Sequence, residues 1–273
     1  MARAERHRKA RIADQVDPHD LYQQAVQGVE FELDFVADTF RSLRGRKPHD
    51  IREDFCGTAL SACEWVSRSP KNRAVGVDID PEVLGWGYEH NVAALTPSQK
   101  RRIELLPEDV LEVNAGTFDV IQAFNFSYWF FQERAAMKHY FQRVYDALVE
   151  DGVAFFDAFG GFEAHRCQKE KTELEGFTYI WEQAAYNPLS AEMICFIHFR
   201  FPDGSRLDRA FSYNWRLWGA KELREILAEV GFSRTRMYVQ AFDDDTDEPI
   251  DRFDETEEIP DHASWIGYLV AEK

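Results

Sequence analysis

The chain has 273 residues, 45% hydrophobic and 14% aromatic, enough for one large domain or two small ones with a sizeable core. Its formal net charge of −17 excludes a general nucleic-acid binder, because phosphates would be repelled. It contains no run of about 18 apolar residues, so no transmembrane helix is expected, and its basic start, MARAERHRKARIADQVD, lacks the apolar stretch of a secretory signal.

Residues 18–44 read as helical, with Leu33, Val36 and Phe40 at helical spacing and Gly45 as the stop. An alternation follows. HDIREDF reads as a strand, LSACEWVSR as a helix and RAVGVDI as a strand. DPEVLGWGYEHNVAAL is a helix with Asp80 as N-cap and Pro81 at its first position, and Leu84, Tyr88, Asn91, Val92 and Leu95 share one face. RIELLPED and FDVIQAFNF are strands. A helix over residues 132–150 carries Met137, Tyr140, Phe141, Val144 and Leu148 on one stripe, with Gly152 ending it, and GVAFFDAF is the fifth strand. Such alternation predicts an α/β doubly wound, mostly parallel sheet.

The pattern changes after Gly161. FTYIWEQAAYN, EMICFIHFRF and RLDRAFSYNWRLW are strand-like runs separated by short turns, which predicts an antiparallel β insertion after the fifth strand, over residues 162–218. A helix over 220–230, stopped by Gly231, and the strands RTRMYVQAF and WIGYLVAEK then complete a seven-stranded sheet. The acidic stretch from Asp243 to Asp261 reads as a solvated loop, or else as an attraction for a cationic substrate. The basic N-terminal stretch reads as a frayed or helical arm, with a nucleic-acid or mitochondrial-targeting role as the rival.

Four cysteines, Cys56, Cys63, Cys167 and Cys195, form no CxxC pair and no zinc-like spacing with histidine. Free thiols in a reducing, cytoplasmic setting, with no metal, are the expectation.

The stretch IREDFCGTALSACEW, Ile51 to Trp65, has the strand–loop–helix form of a cofactor loop. Glu53 stands at the end of the first strand. Asp78 closes the second strand in VGVDIDPE, where an acid can accept both ribose hydroxyls of a nucleoside cofactor. Asp109 follows the third strand in LLPEDV, where an acid can accept from an adenine amino group. A dinucleotide site fits less well, because the glycines of GxGxxG are absent.

Taken together these residues resemble the class I S-adenosylmethionine-dependent methyltransferases, over Asp50 to Phe159 and more weakly in the C-terminal strands. The family's acid and CGTG-like loop read here as Glu53 with CGTA, its second-strand acid as Asp78 with DIDPE, and its adenine-side acid as Asp109. Two positions depart from the pattern, Phe55 and Ala59, where the family has glycine. A Phe at 55 implies ordinary negative φ and a ring packed on the helical layer or lining the cleft, and Ala59 is a mild change. Gly57 keeps the place of nearest backbone approach.

The resemblance implies S-adenosyl-L-methionine as cofactor. The loop amides of Cys56, Gly57 and Thr58 would favour its carboxylate or ribose region, Asp78 the ribose, Ile79 the adenine face, and Asp109 with the Val110 amide the adenine edge. Residues 1–50 would be an arm and helical lid and 51–273 the methyltransferase domain. Tyr22 in the lid and Arg52 would reach the cofactor's carboxylate. After the fourth strand, Asn125 would face the transferring methyl, with Tyr128 and Trp129 beside it. Asp157, Trp181, Tyr213 and Arg216 complete a candidate substrate set, suited to an amine or amino acid.

The implied activity is in-line methyl transfer to a small molecule, with alignment as the main catalytic effect. No catalytic base is assigned, and neither a nucleic-acid nor a membrane partner is expected. The rivals are a catalytically silent S-adenosylmethionine-binding protein and a protein or RNA methyltransferase.

Overall fold

A computed structural model describes residues 11–243 and 249–273. In chain order its elements are α1 (Pro18–Val26), α2 (Val29–Arg44), β1 (Asp50–Asp54), α3 (Leu60–Arg68), β2 (Arg73–Val77), α4 (Pro81–His90), α5 (Pro97–Lys100), β3 (Ile103–Leu106), β4 (Phe118–Ala123), α6 (Arg134–Asp146) and β5 (Leu148–Gly160). There follow β6 (Gln168–Leu174), β7 (Phe177–Tyr186), β8 (Glu192–Arg200), β9 (Arg206–Arg216), α7 (Ala220–Val230), β10 (Arg234–Phe242), β11 (Pro249–Glu255) and β12 (Trp265–Glu272).

The chain forms two compact units, one of residues 28–165 with 216–273, the other of the N-terminal segment to Gln27 with residues 166–215. The larger unit is a doubly wound α/β fold. Its eight strands run in the order β11-β10-β12-β5-β4-β1-β2-β3. The pairs among β1 to β5 are parallel, and β12, β10 and β11 join antiparallel. The strand order reverses between β1 and β4, the place where such sheets leave a crevice at the strands' carboxyl ends.

The alternation of β1 decides which side chain meets which layer. Ile51 and Glu53 face α3, whereas Arg52 and Asp54 face α6. Leu33, Val36 and Phe40 of α2 are fully buried with Trp65 and Val66 of α3 and with Val120, Val153 and Phe155 of the sheet. Each such side chain contributes about 1.5–3 kcal/mol by leaving water. Tyr140, Phe141 and Val144 of α6 bury the other face.

Four expectations are corrected here. The helix expected over 18–44 is two helices, broken around Gly28, and they fall in different units. The helix expected to run to Glu150 ends at Asp146, and Gly152 lies inside β5. The sheet has eight strands, not seven, because part of the supposed acidic loop is a strand: β11 pairs with β10 through Tyr238–Glu255 and Gln240–Phe253. An edge strand needs only one partner, so charged residues are tolerated on it. The rest of that acidic stretch over 244–248, like the basic arm over 1–10, lies outside the described residues.

The smaller unit is a four-stranded sheet, β6-β7-β8-β9, with β6–β7 and β7–β8 antiparallel. α1 packs on it through Leu21, and Ala13, Phe177, Ile197 and Phe199 share that core. Among the described residues, no helix is long and apolar enough to cross a membrane.

Candidate active site

The loop after β1 has left-handed backbone at every second residue: Phe55 (φ 57°), Gly57 (φ 53°) and Ala59 (φ 57°). The negative φ expected at Phe55 is therefore incorrect. The two residues that replace family glycines hold a conformation that costs a non-glycine residue about 1–2 kcal/mol. Surrounding contacts offset that cost. The Phe55 ring packs edge-on against Phe131 at 5.9 Å and Tyr140 at 5.7 Å between centroids, and Ala59 is fully buried. Replacing Phe55 by Ala removes the ring and keeps the strain, whereas Gly removes both. Phe55→Gly is thus expected to be more stable than Phe55→Ala by about 1 kcal/mol in urea denaturation; equal stability would mean that the loop does not hold this backbone.

The loop's support comes from glycines and polar groups on neighbouring elements. A β-carbon at Gly87 of α4 would lie 2.5 Å from the Thr58 carbonyl oxygen, so only glycine lets the helix approach that closely. Asn91 Nδ2 donates to the same oxygen at 2.9 Å. Cys56 is buried, its sulfur over Gly76.

The Cys56 and Gly57 amides, expected to receive the cofactor, are already engaged. The Cys56 amide donates to the Val77 carbonyl at 3.0 Å, and the Gly57 amide to Asp78 Oδ2 at 2.8 Å. Asp78 accepts a second amide, from Asp80, on Oδ1 at 3.0 Å. Each carboxylate oxygen has a further lone pair, so the two amides fix the acid without exhausting it. Burial raises the pKa of Asp78, opposed by those amide donors. Ile79 next to it is 70% exposed, an apolar side chain left uncovered. A β-carbon at Gly57 meets no atom within 4 Å. Asp78, Ile79 and this clear space over Gly57 suit a nucleoside-bearing cofactor. Asp109 caps its own turn, accepting from the Leu111 amide at 2.9 Å, and Val110 is buried.

Arg52 does not point into a cleft. Its guanidinium is 1% exposed and forms a bidentate ion pair with Asp54, at 2.7 and 3.0 Å, to which the Tyr140 hydroxyl also donates at 3.0 Å. The i, i+2 spacing on a strand puts both charges on the α6 face.

Beyond β4, Asn125 (φ 57°) and Phe126 (φ 55°) are both left-handed. Asp157 holds this turn, its carboxylate accepting from the Phe126 amide at 2.9 and 3.1 Å, and burial raises its pKa well above the carboxylate range. Tyr128 and Trp129, expected at the substrate, are fully buried instead. Tyr128 donates to the Asp157 carbonyl at 2.6 Å and Trp129 packs on Phe159 at 4.7 Å, so both rings are core beneath the turn. Arg216 is also engaged, bonded to both Glu222 oxygens at 3.0 and 3.1 Å and stacked 3.7 Å over Trp218.

In the smaller unit, Trp181 and Tyr213 pack together at 5.9 Å and Tyr213 lies 4.4 Å from Trp215. Tyr22 belongs to the same cluster, 4.9 Å from Phe211 and hydrogen-bonded to Tyr213.

Several residues at the site were missed by sequence reasoning. Gln122 and Asn91 give no signal beyond ordinary polar residues. Glu32 sits among helical residues of α2, and burial pushes it up to about 7. Glu53, which was expected here, is bonded to the Ala62 amide at 2.9 Å and pushed by burial up to about 8.

No family model and no curated protein matches the sequence. Solved structures do resemble the fold. An S-adenosylmethionine-dependent methyltransferase from Clostridium acetobutylicum is 18% identical, with TM-score 0.65 over 93% of this chain and 96% of that one. An S-adenosylmethionine-bound amino pentose methyltransferase from Micromonospora echinaspora is 15% identical, with TM-score 0.64 over 93% and 95%. A sugar N-methyltransferase from a Streptoalloteichus species is 16% identical, with TM-score 0.60 over 98% of both chains. The fold of this chain is therefore that of the class I S-adenosylmethionine-dependent methyltransferases.

Proposed function

We propose that the protein is an S-adenosylmethionine-dependent methyltransferase acting on a small molecule that carries an amine. The observation that carries this reading is Asp78, held by the Gly57 and Asp80 amides at the carboxyl end of β2 beside a loop surface clear of protein atoms. The fold agrees with it, and structures of that fold include proteins named as an amino pentose methyltransferase and a sugar N-methyltransferase.

When bound, the cofactor supplies a methyl group already activated on a sulfonium, so an amine lone pair needs alignment more than a strong base. Asp78 would accept the ribose hydroxyls, Ile79 would cover the adenine and Gly57 would leave room for the donor's body. Asp109 with the Val110 amide would meet the adenine edge, Asn125 the transferring methyl, and Glu53 with Thr58 the amino-acid end.

Calorimetry with S-adenosylmethionine and a methyl-transfer assay across amino sugars, amino acids and simple amines test the reading together. Binding and transfer to an amine are expected, and Asp78→Ala should weaken binding by about 1–3 kcal/mol with a native far-UV spectrum. Unchanged affinity in that variant removes the ribose assignment. Binding without transfer to any acceptor would favour the catalytically silent protein.

A further inference from the structure

A cavity of about 520 Å3 lies at the amino ends of β1 to β4, the opposite ends of these strands from Gly57 and Asp78. Its origin is topological. The connection from β3 to β4, residues 107–117, contains no helix, so it lays none over β2 and β3 on the face that α6 covers farther along the sheet. Strand alternation then decides what lines the opening. Asp50 and Arg73 are register partners, as are Arg52 and Val75, and Arg52 faces α6 with Asp54; Val75 in turn lies opposite Glu104. Asp50, Arg73, Val75 and Glu104 therefore share this side, and Arg101 and Arg102 enter the lining from the turn before β3.

The protein does not answer the arginines gathered here. In a chain of net charge −17, Arg73, Arg101 and Arg102 form no ion pair among the described residues. Arg102 is the anchor. Its Nη1 donates to the Ser69 carbonyl at 2.9 Å and to the Asn72 carbonyl, and Asn72 is itself buried and donates to the Trp65 carbonyl at 2.9 Å. The guanidinium is thus held in place before any ligand arrives. Its other edge, Nε with Nη2, bonds to nothing among the described residues, and Nε is buried. That edge is the one with which Arg52 grips Asp54 and Arg46 grips Asp151, two N–H groups on two oxygens. A buried donor without an acceptor is costly, and an oxyanion seated on this edge relieves the cost.

We propose that this cavity binds a small phosphorylated polyol. The phosphate would sit on the Nε–Nη2 edge of Arg102, with the charges of Arg73 and Arg101 beside it. A phosphate offers three oxygens to three guanidinium groups, where a carboxylate offers two. The acids set the rest of the ligand. The carboxylates of Asp50 and Glu104 make no hydrogen bond among the described residues, and an ionised carboxylate only accepts. They repel a bare anion and accept from hydroxyl groups, so the phosphate has to come with hydroxyls attached. The cavity's volume is that of a small-molecule site. Because the cofactor loop and Asp78 stand at the other ends of the strands, the site does not depend on the methyltransferase reading.

The test is calorimetry on the intact protein at about 0.15 M salt, where long-range attraction of anions is screened. The ligands are glucose 6-phosphate, ribose 5-phosphate and glycerol 3-phosphate, with inorganic phosphate and glucose as controls. At least one phosphorylated polyol is expected to bind saturably, about tenfold or more tighter than inorganic phosphate, and glucose not at all. Arg102→Gln should weaken that binding by about tenfold or more. Arg102→Lys should not restore it, since an ammonium cannot grip two oxygens side by side. Arg102 also ties the turn at Ser69 and Asn72, so Arg101→Gln, at an exposed residue with no ion pair to lose, supplies a variant that keeps the fold; it should weaken binding by about threefold. Glu104→Gln should strengthen the binding of inorganic phosphate and narrow the preference for the polyol. The affinity for S-adenosylmethionine should be the same with and without the phosphorylated ligand. Absence of binding by all three polyol phosphates, an affinity no greater than that of inorganic phosphate, or full affinity in both Arg102→Gln and Arg101→Gln overturns the proposal and leaves the methyltransferase reading standing. Competition with S-adenosylmethionine overturns it too, by placing the ligand at the other ends of the strands.

Discussion

Asp54→Ala is expected to lower the stability of the protein by about 3–5 kcal/mol, because it leaves the Arg52 guanidinium charged and unpaired inside the sheet. Arg52 is 1% exposed and its two bonds to Asp54 are its only ion pair among the described residues. The Tyr140 hydroxyl loses its acceptor in the same step. Neither group can reach water without opening the layer between β1 and α6. Urea denaturation measures the loss directly. Replacing both partners, Arg52→Met with Asp54→Leu, should recover most of it, since apolar groups of similar volume carry no desolvation cost. A loss below about 1 kcal/mol for the single variant would mean that the pair is hydrated in solution.

The second large effect belongs to Gly57. Its substitution separates folding from binding, because an added β-carbon meets no protein atom within 4 Å. Gly57→Ala should cost only about 1 kcal/mol of stability, for the left-handed backbone at φ 53°. Gly57→Val should cost somewhat more, because a branched side chain is worse there. The binding of S-adenosylmethionine should fall by at least about a hundredfold in the valine variant, since its methyl groups would stand in the donor's volume. Calorimetry beside a melting curve distinguishes the two quantities. Normal affinity in a folded Gly57→Val protein would place the cofactor elsewhere.

The doubly wound sheet was legible because strand-like and helix-like runs alternate from β1 to α6, with a recognisable helix start at Asp80 and Pro81. The position of Asp78 directly after β2 was legible for a similar reason: its distance from the loop is set by one helix and one strand. The backbone of Phe55 was not. Residue type argues for negative φ, and only the contacts with Phe131 and Tyr140 show what holds the ring where a glycine was expected. The glycines that serve this loop lie at Gly76 and Gly87, on other elements, where nothing local marks them. Tyr128, Trp129 and Arg216 have residue types common in binding sites, yet their partners within the fold claim them. Glu32 was missed because an acid in the first turn of a helix usually answers the helix dipole; its nearness to Glu53 and Asp157 arises only when α2 lies on the sheet.

The strand β11 changes how this molecule behaves among copies of itself. A sheet's outer strands are templates on which another chain can add a strand. At one border here stands β11, which begins with Pro249 and carries the exposed Arg252–Asp254 ion pair. At the other stands β3, only four residues long. One border resists extension by proline and charge, the other by brevity. Crowded solutions and long storage should therefore not drive strand-on-strand fibres through either border of this sheet.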